Sequence, residues 1–573
     1  MIRTFWPAAL LVVTSAAVAQ QPPKPLPLKL DPKPTTPAIT SADLMTRVYR
    51  FADDSMRGRM AGSLEAMKGT EYIAQELKRL GLEPAGDSGT YFQNVPFGVQ
   101  TLDSASTIEV GEAVLKAGTD FLGFAPLGFV APTGSLEVIF GGQAIDTVDV
   151  LTPEQVRGKI VVLRPAAGPP ANIQAFLASE GYKRYVAMAS SAAAIVAIGP
   201  PQFSPNAIRT AFTPSNSVQV VPDSAPKGPL TIQVTQSAAD AFLGAPNATV
   251  TKGAAGKPVQ LSVKFNLIRR PGRNVVALIP GTDAKLKGQY VAIGAHSDHV
   301  GVRTRAVEHD SVRAFNTVVL PQGADSPNRP PTTEEVTRIR AMTDSLRAIM
   351  PPRQDSINNG ADDDASGSMG ILEIAEAFAS SKQKPKRSIL FVWHMGEEEG
   401  MLGSGYFTDH PTVPRDSIVA QLNVDMIGRG ATSDITGEGK DGELLHGRDE
   451  GYLQLIGSRR LSTELGNLVE DVNTKTKAGF RFDYALDADG HPQNIYCRSD
   501  HYEYARYGIP IVFFTTGGHR DYHQVTDEPQ YLNYDHYRRV TQLIHDVAWR
   551  VADLDHRPVV DKPKPDPKGA CQQ

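Results

Sequence analysis

The chain is poor in cysteine, in long apolar segments and in runs of basic charge. Two cysteines in 573 residues, Cys497 and Cys571, rule out a small scaffold held together by disulfides. A net charge of -5 without a long basic run offers no electrostatic footprint for nucleic acid. No segment beyond the first residues approaches the ~20 apolar residues that a membrane-spanning helix needs. Whether the two cysteines form one bridge or remain two unpaired thiols stays open.

The composition is otherwise that of a globular protein with many loops. Hydrophobic residues make up 41% of the chain and charged residues 21%, and there are 43 prolines. A chain of 573 residues also exceeds what one hydrophobic core supports. We therefore expect two or more domains.

Residues 1–19 have the pattern of a secretory signal peptide. Arg3 precedes an apolar stretch from Pro7 to Val13, and Ala17-Val18-Ala19 is a small-residue cleavage site. A membrane anchor is the alternative, but polar residues interrupt the stretch and it is too short to span a bilayer. We expect an exported protein, periplasmic or extracellular, with a Pro-rich linker over residues 20–40.

The remaining chain divides by its residue patterns. Residues 118–256 form short β-like runs separated by Gly and Pro, which predicts a mostly β insert. The flanking segments 41–117 and 257–555 are assigned to one α/β domain, because strand-like and helical runs alternate after Arg273. This domain should contain a mixed, largely parallel sheet flanked by helices. Residues 302–357 are predicted to interrupt it, and residues 556–573 form a Lys- and Pro-rich flexible tail.

Ligands of open α/β sheets bind outside the carboxyl ends of the strands, so the residues that end each strand carry information. The candidate strands are Asn274 to Ile279, Tyr290 to Ala295, Ile389 to Trp393, Val419 to Val424 and Ile509 to Phe514. Chemically active residues follow four of these strands, and one acidic cluster precedes a helical run: His296-Ser297-Asp298-His299, Glu397-Glu398-Glu399, Asp425, Tyr522-His523, and Asp362-Asp363-Asp364. Each cluster alone has an ordinary structural explanation, such as a helix cap or a solvated turn. Their coincidence at one edge of the sheet favours a metal site.

Imidazoles mixed with several carboxylates suit zinc better than calcium or magnesium. The carboxylates outnumber the positions around one tetrahedral ion, so a pair of ions about 3.5 to 4 Å apart and bridged by one Asp is the simplest arrangement. A Glu that is not a ligand must then accept and return a proton. Two adjacent glutamates at a strand end fit that need.

At these residues the chain resembles the co-catalytic zinc exopeptidases of the bacterial leucyl aminopeptidase type, a family that also includes glutamate carboxypeptidase. The resemblance rests on five motifs in the family's order, which are Gly294 to His299, Gly360 to Gly367, Glu397 to Ser404, Asn423 to Gly428, and Tyr522-His523. It implies that His296 and Asp425 bind one zinc ion, that Glu398 and His523 bind the other, and that Asp363 bridges the two.

The resemblance also implies the catalytic roles. Glu397 would be the general base and acid, and Asp298 would orient the imidazole of His296. Tyr522 matches a position that donates to the oxyanion of the tetrahedral intermediate, with a packed aromatic as the alternative. Glu399 is expected to be only a neighbour.

Further segments are less specific. Asp149 to Leu163 looks like part of the protease-associated domain that interrupts many members of the family, and Asp53 to Arg59 resembles the family's N-terminal part. Asp487-Ala488-Asp489-Gly490 hints at a calcium loop, although a plain turn explains it better. Ser499-Asp500-His501 is expected to line or brace the pocket. His299 and His394 are assigned as structural.

The leading hypothesis is an exported aminopeptidase that hydrolyses peptides with a metal-bound hydroxide and Glu397 as the base. A carboxypeptidase of the same fold is one alternative. A catalytically inactive, receptor-like binding protein is another, although such a protein should have lost the ligands that are present here. A glutaminyl-cyclase-like transferase is disfavoured, because relatives of that type use one zinc and lack the full ligand set.

Overall fold

The structure is a computed structural model that describes residues 26–573 except 147, 167, 169–175, 177–178, 225, 227 and 350. The predicted signal peptide and residues 20–25 of the predicted linker lie outside the described residues. Within the described part, no helix has both the length and the apolarity needed to cross a bilayer.

The described chain begins with two helices and two short strands, which are α1 Ser41–Phe51, α2 Leu64–Leu80, β1 Glu83–Pro84 and β2 Phe92–Asn94. The Thr40 side chain caps α1 by accepting a hydrogen bond from the Asp43 amide. Helix α2 ends at Gly81, whose φ of 76° is the left-handed conformation that glycine adopts without strain. Both helix ends therefore follow from local sequence signals.

Residues 97–269, called here the interposed region, contain their own sheets and helices. The strands are β3 Phe97–Leu102, β4 Thr107–Val110, β5 Ala113–Lys116, β6 Phe121–Phe124, β7 Ser135–Leu136, β8 Val138–Gln143, β9 Ile160–Arg164, β10 Ala194–Ile198, β11 Gln219–Val220, β12 Leu230–Val234, β13 Val259–Ser262 and β14 Phe265–Arg269. The helices are α3 Pro153–Val156, α4 Glu180–Ser191, α5 Pro205–Phe212 and α6 Gln236–Leu243.

The interposed region extends on both sides beyond the predicted range 118–256. Strand β4 pairs with β13 and strand β3 pairs with β14, so segments from before and after that range close on each other. Ile108 and Val259 share one buried core with Val162 and Ile232. Helices lie among these strands, and β8, β9, β10 and β12 run parallel, so the region combines a majority of strands with a few helices.

The rest of the chain completes the larger α/β unit. Its strands are β15 Arg273–Ile279, β16 Tyr290–His296, β17 Val302–Glu308, β18 Gln354–Ile357, β19 Ser388–His394, β20 Ile418–Val424, β21 Ile435–Glu438, β22 Leu444–His446, β23 Tyr452–Ile456, β24 Arg481–Asp483 and β25 Ile511–Thr515. Its helices are α7 His309–Val319, α8 Thr333–Arg347, α9 Ala365–Ser380, α10 Leu402–Asp409, α11 Thr463–Thr476, α12 His501–Ala505 and α13 Tyr534–Ala552.

The central sheet has the described strand order β1-β15-β19-β16-β20-β25-β23-β24, with β2 also paired to β15. Strands β19, β16, β20 and β25 form a block in which adjacent strands are parallel, whereas β15 and β23 pair antiparallel with the two outer strands of that block. This confirms the predicted mixed, largely parallel sheet. The last predicted strand begins two residues late, at Ile511, because Pro510 has no amide hydrogen to donate to a ladder.

Helices cover both faces of this sheet. In β19, Ile389, Phe391 and Trp393 face the core formed with α1, α2, α9 and α13. Leu390 and Val392 face the opposite core, which contains Phe407 and Tyr504 of α10 and α12. A strand buried on both faces shows a continuous apolar run rather than alternation, as β19 does. Burial of this strand leaves its carboxyl end as the place where polar residues reach solvent.

The segment 302–357 forms a small unit in which β17 pairs with β18 and α7 packs against α8. The C-terminal tail is largely exposed, but it is attached to the body of the protein. Cys571 forms a disulfide with Cys497 at a Cα–Cα distance of 5.8 Å, and the Gln573 side chain donates to the Ala488 carbonyl at 3.2 Å. The open question of the two cysteines is therefore answered by a bridge, and the tail is anchored rather than free.

Candidate metal centre

The carboxyl ends of the parallel strands meet at one edge of the central sheet, and the predicted residues lie there. His296 is the last residue of β16, and Asp425 directly follows β20. Glu397 and Glu398 follow β19 after a two-residue turn, and His523 lies in the loop after β25. The topology therefore brings residues together that are distant in sequence.

His296 forms the first ligand group with Asp363 and Asp425. Its Nε2 lies 3.2 Å from Asp363 Oδ1 and 3.6 Å from Asp425 Oδ1. The Ser499 hydroxyl donates to the other oxygen of Asp425, Oδ2, at 2.8 Å. Ser499 thus braces Asp425 and leaves Oδ1 directed at the group.

The second group consists of His299, Asp363, Glu398 and His523. His523 Nε2 lies 3.0 Å from Asp363 Oδ2 and 2.9 Å from Glu398 Oε2. His299 Nδ1 lies 2.7 Å from Glu398 Oε1 and 3.5 Å from Asp363 Oδ2. His299, assigned as structural from the sequence, is therefore within the candidate site. Its place three residues after His296 on the same strand end was the available signal.

Asp363 belongs to both groups and offers one carboxylate oxygen to each. Asp363 Oδ2, Asp425 Oδ1 and His523 Nε2 are buried and have no hydrogen-bond partner among the described residues. Burying polar atoms that make no hydrogen bond lowers the stability of the folded protein. The convergence of three such atoms therefore indicates a site for a cation. Imidazole nitrogens and carboxylate oxygens at this spacing are a donor set that fits divalent metal ions such as zinc.

The electrostatics of the site are dominated by burial and by close opposite charges. Burial alone would raise the pKa of Asp363, but His299, His296 and His523 outweigh it and hold that pKa well below its usual range. Burial raises the pKa of Glu397 well above its usual value; His296 opposes this rise, and Asp425 and Glu398 add to it. Glu397 is therefore a carboxyl with a high proton affinity beside the ligand groups.

Asp298 contacts the imidazole of His296 mainly through its main-chain carbonyl. Its main-chain carbonyl, rather than its carboxylate, is the nearer group to His296 Nδ1, at 3.2 Å against 3.8 Å for Oδ1. Asp298 Oδ1 instead accepts from the Gly396 amide at 2.7 Å and from the Glu397 amide at 3.3 Å. The carboxylate thus fixes the turn that carries Glu397.

The neighbours of Asp363 hold the framework together. Asp364 caps α9 by accepting from the Gly367 amide at 2.8 Å, and it also accepts from the amides of Met426 at 3.1 Å and His296 at 3.2 Å. It therefore ties together the ends of β16 and β20 and the start of α9. The sequence marked this acidic cluster, but it did not show that Asp364 has this role.

Asp362 and Asp527 form a second set of ties on the other side of Asp363. Asp362 accepts from the Gly428 amide at 2.7 Å. Asp527 accepts from the Asp362 amide at 3.0 Å and from the Asp363 amide at 3.1 Å. Asp527 lies four residues after His523 and belongs to no recognisable motif, so the sequence alone does not single it out.

Arg59 is a further residue that the sequence reading did not single out, although it lies in the quoted segment Asp53 to Arg59. Its fully buried guanidinium donates to four carbonyls, those of Phe51 at 3.0 Å, Ser297 at 3.1 Å, Asn359 at 2.7 Å and Gly360 at 3.0 Å. Burial lowers its pKa to about 10, while the nearby Asp363 and Asp298 oppose that shift. Arg59 thus links the N-terminal segment to the loop after His296 and to the loop before Asp363.

Two other predicted residues lie close to the ligands without joining them. The Tyr522 ring stacks on the His523 ring at a centroid distance of 4.0 Å. Burial and the carboxylates of Asp363 and Glu398 raise the pKa of Tyr522, so its phenol keeps its proton and can donate. Glu399 points away and accepts a hydrogen bond from the Ser217 hydroxyl of the interposed region.

The remaining candidates have structural roles. Arg460 contacts Asp487 at 2.6 Å and Asp489 at 3.1 Å, which fits a turn held by an ion pair rather than a calcium loop. His394 Nδ1 lies 3.1 Å from Asp500 Oδ2, and its Nε2 lies 2.9 Å from the Tyr504 hydroxyl. His394 and Asp500 therefore form a buried polar set that includes no predicted metal ligand.

The chain is similar in sequence to known aminopeptidases over part of its length. A probable leucine aminopeptidase of Arthroderma benhamiae is 31% identical over 169 residues, which are 26% of this chain and 47% of that protein. Leucine aminopeptidase 1 of Aspergillus niger is 28% identical over 237 residues, 38% of this chain and 54% of that protein. The chain thus spans about half the length of these curated relatives. Among solved structures, a zinc aminopeptidase from Bacillus subtilis aligns over 92% of this chain and 99% of its own, at 15% identity and a TM-score of 0.43.

The family comparison covers the part of the chain that carries the ligand groups. Residues 274–548 match the model for peptidase family M28. This range begins within β15, ends within α13, and contains both ligand groups together with Glu397 and Tyr522.

Proposed function

We propose that this protein is a zinc-dependent aminopeptidase, which hydrolyses the peptide bond next to a free amino terminus. The observation that carries the proposal is the pair of ligand groups that share Asp363, with Glu397 close to His296, Asp425 and Glu398. The family match and the relatives named as leucine aminopeptidases support the same activity. In this proposal the substrates are peptides.

The proposed cofactor is a pair of zinc ions bridged by Asp363. His296 and Asp425 would hold one ion, and Glu398 and His523 would hold the other, with His299 next to Glu398. Bound zinc would polarise the scissile carbonyl and lower the pKa of water. The buried atoms of Asp363, Asp425 and His523 that make no hydrogen bond support this assignment.

The chain's own residues would move the proton and stabilise the developing charge. Glu397 has a raised pKa because it is buried near other carboxylates, so it can take a proton from water and return it to the leaving amine. Asp298 holds the Gly396–Glu397 turn and so fixes where the Glu397 carboxyl lies. Tyr522 keeps its proton and would donate a hydrogen bond to the carbonyl oxygen as that oxygen becomes negative.

The test compares substrates with a free and a blocked amino terminus. The purified protein is assayed on aminoacyl amides and on N-blocked dipeptides, with and without a chelator, followed by zinc add-back. We expect cleavage of the free substrates alone, its loss in chelator and its recovery with zinc. Cleavage that persists undiminished in chelator would contradict the proposal, and hydrolysis of only the N-blocked substrates would indicate a carboxypeptidase.

Substitution of the proposed base separates chemistry from metal binding. Glu397→Gln should lower kcat by about 10²- to 10⁴-fold, the usual contribution of a general base, with zinc content unchanged. Glu399→Gln is the matched control, because Glu399 is a neighbouring carboxylate that lies outside both ligand groups. Equal activity of the Glu397→Gln variant and the wild type would rule out the assigned role.

We also propose that the protein is exported. The Cys497–Cys571 bridge supports this, because disulfides persist mainly in oxidising compartments. Fractionation of the native host should recover the oxidised protein outside the cytoplasm, with no free thiol detected by alkylation. Reduced protein found in the cytoplasmic fraction would contradict the proposal.

A further inference from the structure

A cavity opens beside Asp425 and Tyr522 at the edge of the metal centre. Its apolar wall is formed by Met426, Leu486, Ile495 and Phe513. Neutral polar residues, among them Thr436 and Gln454, complete the lining. This cavity is lined by Asp425 of the first ligand group and by Tyr522, the proposed oxyanion donor, so it lies beside the proposed position of the scissile bond.

Three charged side chains are present among the described lining residues, which are Asp325, Asp425 and Arg498. Asp425 belongs to the first ligand group, so Arg498 and Asp325 are the two charges left to face a substrate. They pair with each other. Arg498 donates through both terminal nitrogens to the two oxygens of Asp325, at 2.9 and 3.0 Å. The bidentate geometry fixes both side chains and cancels their charges at the cavity wall.

Asp325 comes from the segment 302–357, and that segment is attached to the loop that carries His523. The Ala324 amide donates to the Tyr522 carbonyl at 3.1 Å. At Gly323, with φ +57°, an added Cβ would lie 2.4 Å from that carbonyl oxygen, so the close approach requires glycine. Arg313 contacts both oxygens of Asp521 at 2.8 and 2.9 Å. Asp325 is therefore held in place by the same loop that forms the site.

We propose that Asp325 and Arg498 are specificity-determining residues, and that their ion pair makes this cavity select uncharged side chains on the residue that carries the free amino terminus. The inference rests on the proposed aminopeptidase function and adds its substrate class. An acidic side chain would need Arg498 unpaired, and a basic one would need Asp325 unpaired. The apolar wall favours an aliphatic side chain once both charges are cancelled.

The experiment measures kcat/KM of the full chain on leucine, glutamate and lysine aminoacyl amides. Asp325→Asn frees Arg498 and should raise the glutamate-to-leucine ratio by roughly tenfold, since an unpaired cation attracts the carboxylate. Arg498→Gln frees Asp325 and should raise the lysine-to-leucine ratio by a similar factor. Ratios are used because a general loss of activity, such as one caused by disturbing Ser499, cancels in them.

Glu335→Gln is the control. It breaks another ion pair of the same segment, in which Arg329 contacts Glu335 at 2.6 Å, and Glu335 does not line the cavity. Its ratios should match those of the wild type. Wild-type preference for a charged side chain, or ratios unchanged in both cavity variants, would overturn the inference while the aminopeptidase function stands. Absence of chelator-sensitive cleavage of all three substrates would overturn both.

Discussion

Two acidic triplets flank the candidate metal centre, and the fold uses them differently. In Asp362-Asp363-Asp364, which precedes α9, all three side chains are buried. In Glu397-Glu398-Glu399, which follows β19, the residues are only partly buried and the chain turns outward at Gly400. The aspartates lie between strands and a helix start, whereas the glutamates lie along the rim of the site.

The position of each acidic residue determines whether it stabilises the fold or faces the ligand groups. Asp362 and Asp364 accept backbone amides from the segment after β20, so they hold elements of the fold together, and only Asp363 faces the ligand groups. Glu397 and Glu398 both face the centre, and Glu399 contacts Ser217 of the interposed region. Substitutions in the first triplet should therefore affect folding and activity, and those in the second mainly activity.

The largest effect is expected at Asp363, the residue common to both ligand groups. Asp363→Asn removes the negative charge that the two ligand groups share. The variant should therefore bind zinc more weakly at both groups. The kcat/KM of this variant should fall further than that of Glu397→Gln, for which loss of the base predicts a decrease of about 10²- to 10⁴-fold. Zinc content after dialysis, measured by mass spectrometry, checks the cause. A variant that keeps two equivalents of zinc would show that Asp363 is not the shared ligand.

Asp364→Ala tests the structural half of the comparison. It leaves the amides of Gly367, Met426 and His296 without their acceptor inside the protein. We expect a loss of at least about 3 kcal/mol in the free energy of unfolding, because three amides lose their acceptor and each buried unsatisfied group costs about 1 to 3 kcal/mol. Urea denaturation of the metal-free proteins measures it. Glu397→Gln is the matched control and should stay within about 0.5 kcal/mol of the wild type; equal losses in the two variants would refute the division.

The sequence allowed the sheet and the strand-end residues to be predicted, because both depend on local patterns. The apolar run of β19 and the polar residues after it are visible in the sequence, as is the acidic cluster before α9. Asp527 and Arg59 were not predictable in this way, since their partners are backbone groups brought near only by the fold. The contact of Asp298 through its carbonyl depends on the turn geometry, which a motif does not encode.

The strand pairing within the interposed region is a further feature that local patterns do not show. Strand β4 lies before the predicted insert and β13 after it, and each has an ordinary strand pattern. Only their mutual pairing shows that they share the buried core of the interposed region. The likeness of residues 149–163 to a protease-associated domain stays a prediction.

His299 offers a test of the role of Glu398 in the second triplet, because its Nδ1 lies 2.7 Å from Glu398 Oε1. If His299 positions or supplements the ligands of the second group, His299→Gln should weaken zinc binding by about 10- to 100-fold, the usual effect of losing a residue that supports a ligand. Competition with a chelator of known affinity measures this in the absence of turnover. One zinc should dissociate more readily while the other, held by His296 and Asp425, is retained; loss of neither ion would return His299 to a purely structural role.

The smallest effect is expected at Glu399, which tests whether proximity to the centre alone confers function. Its carboxylate contacts Ser217 in the interposed region and belongs to neither ligand group. Glu399→Gln retains an acceptor for the Ser217 hydroxyl, so the free energy of unfolding should change by no more than about 0.5 kcal/mol. We expect kcat/KM to stay within about twofold of the wild type, because no group that faces the substrate is altered. Ser217→Ala breaks the same contact from the other side and should give the same result. A loss of activity in both variants would mean that the contact between Ser217 and Glu399 positions residues of the candidate metal centre. The second triplet would then have a structural role, as Asp362 and Asp364 have in the first.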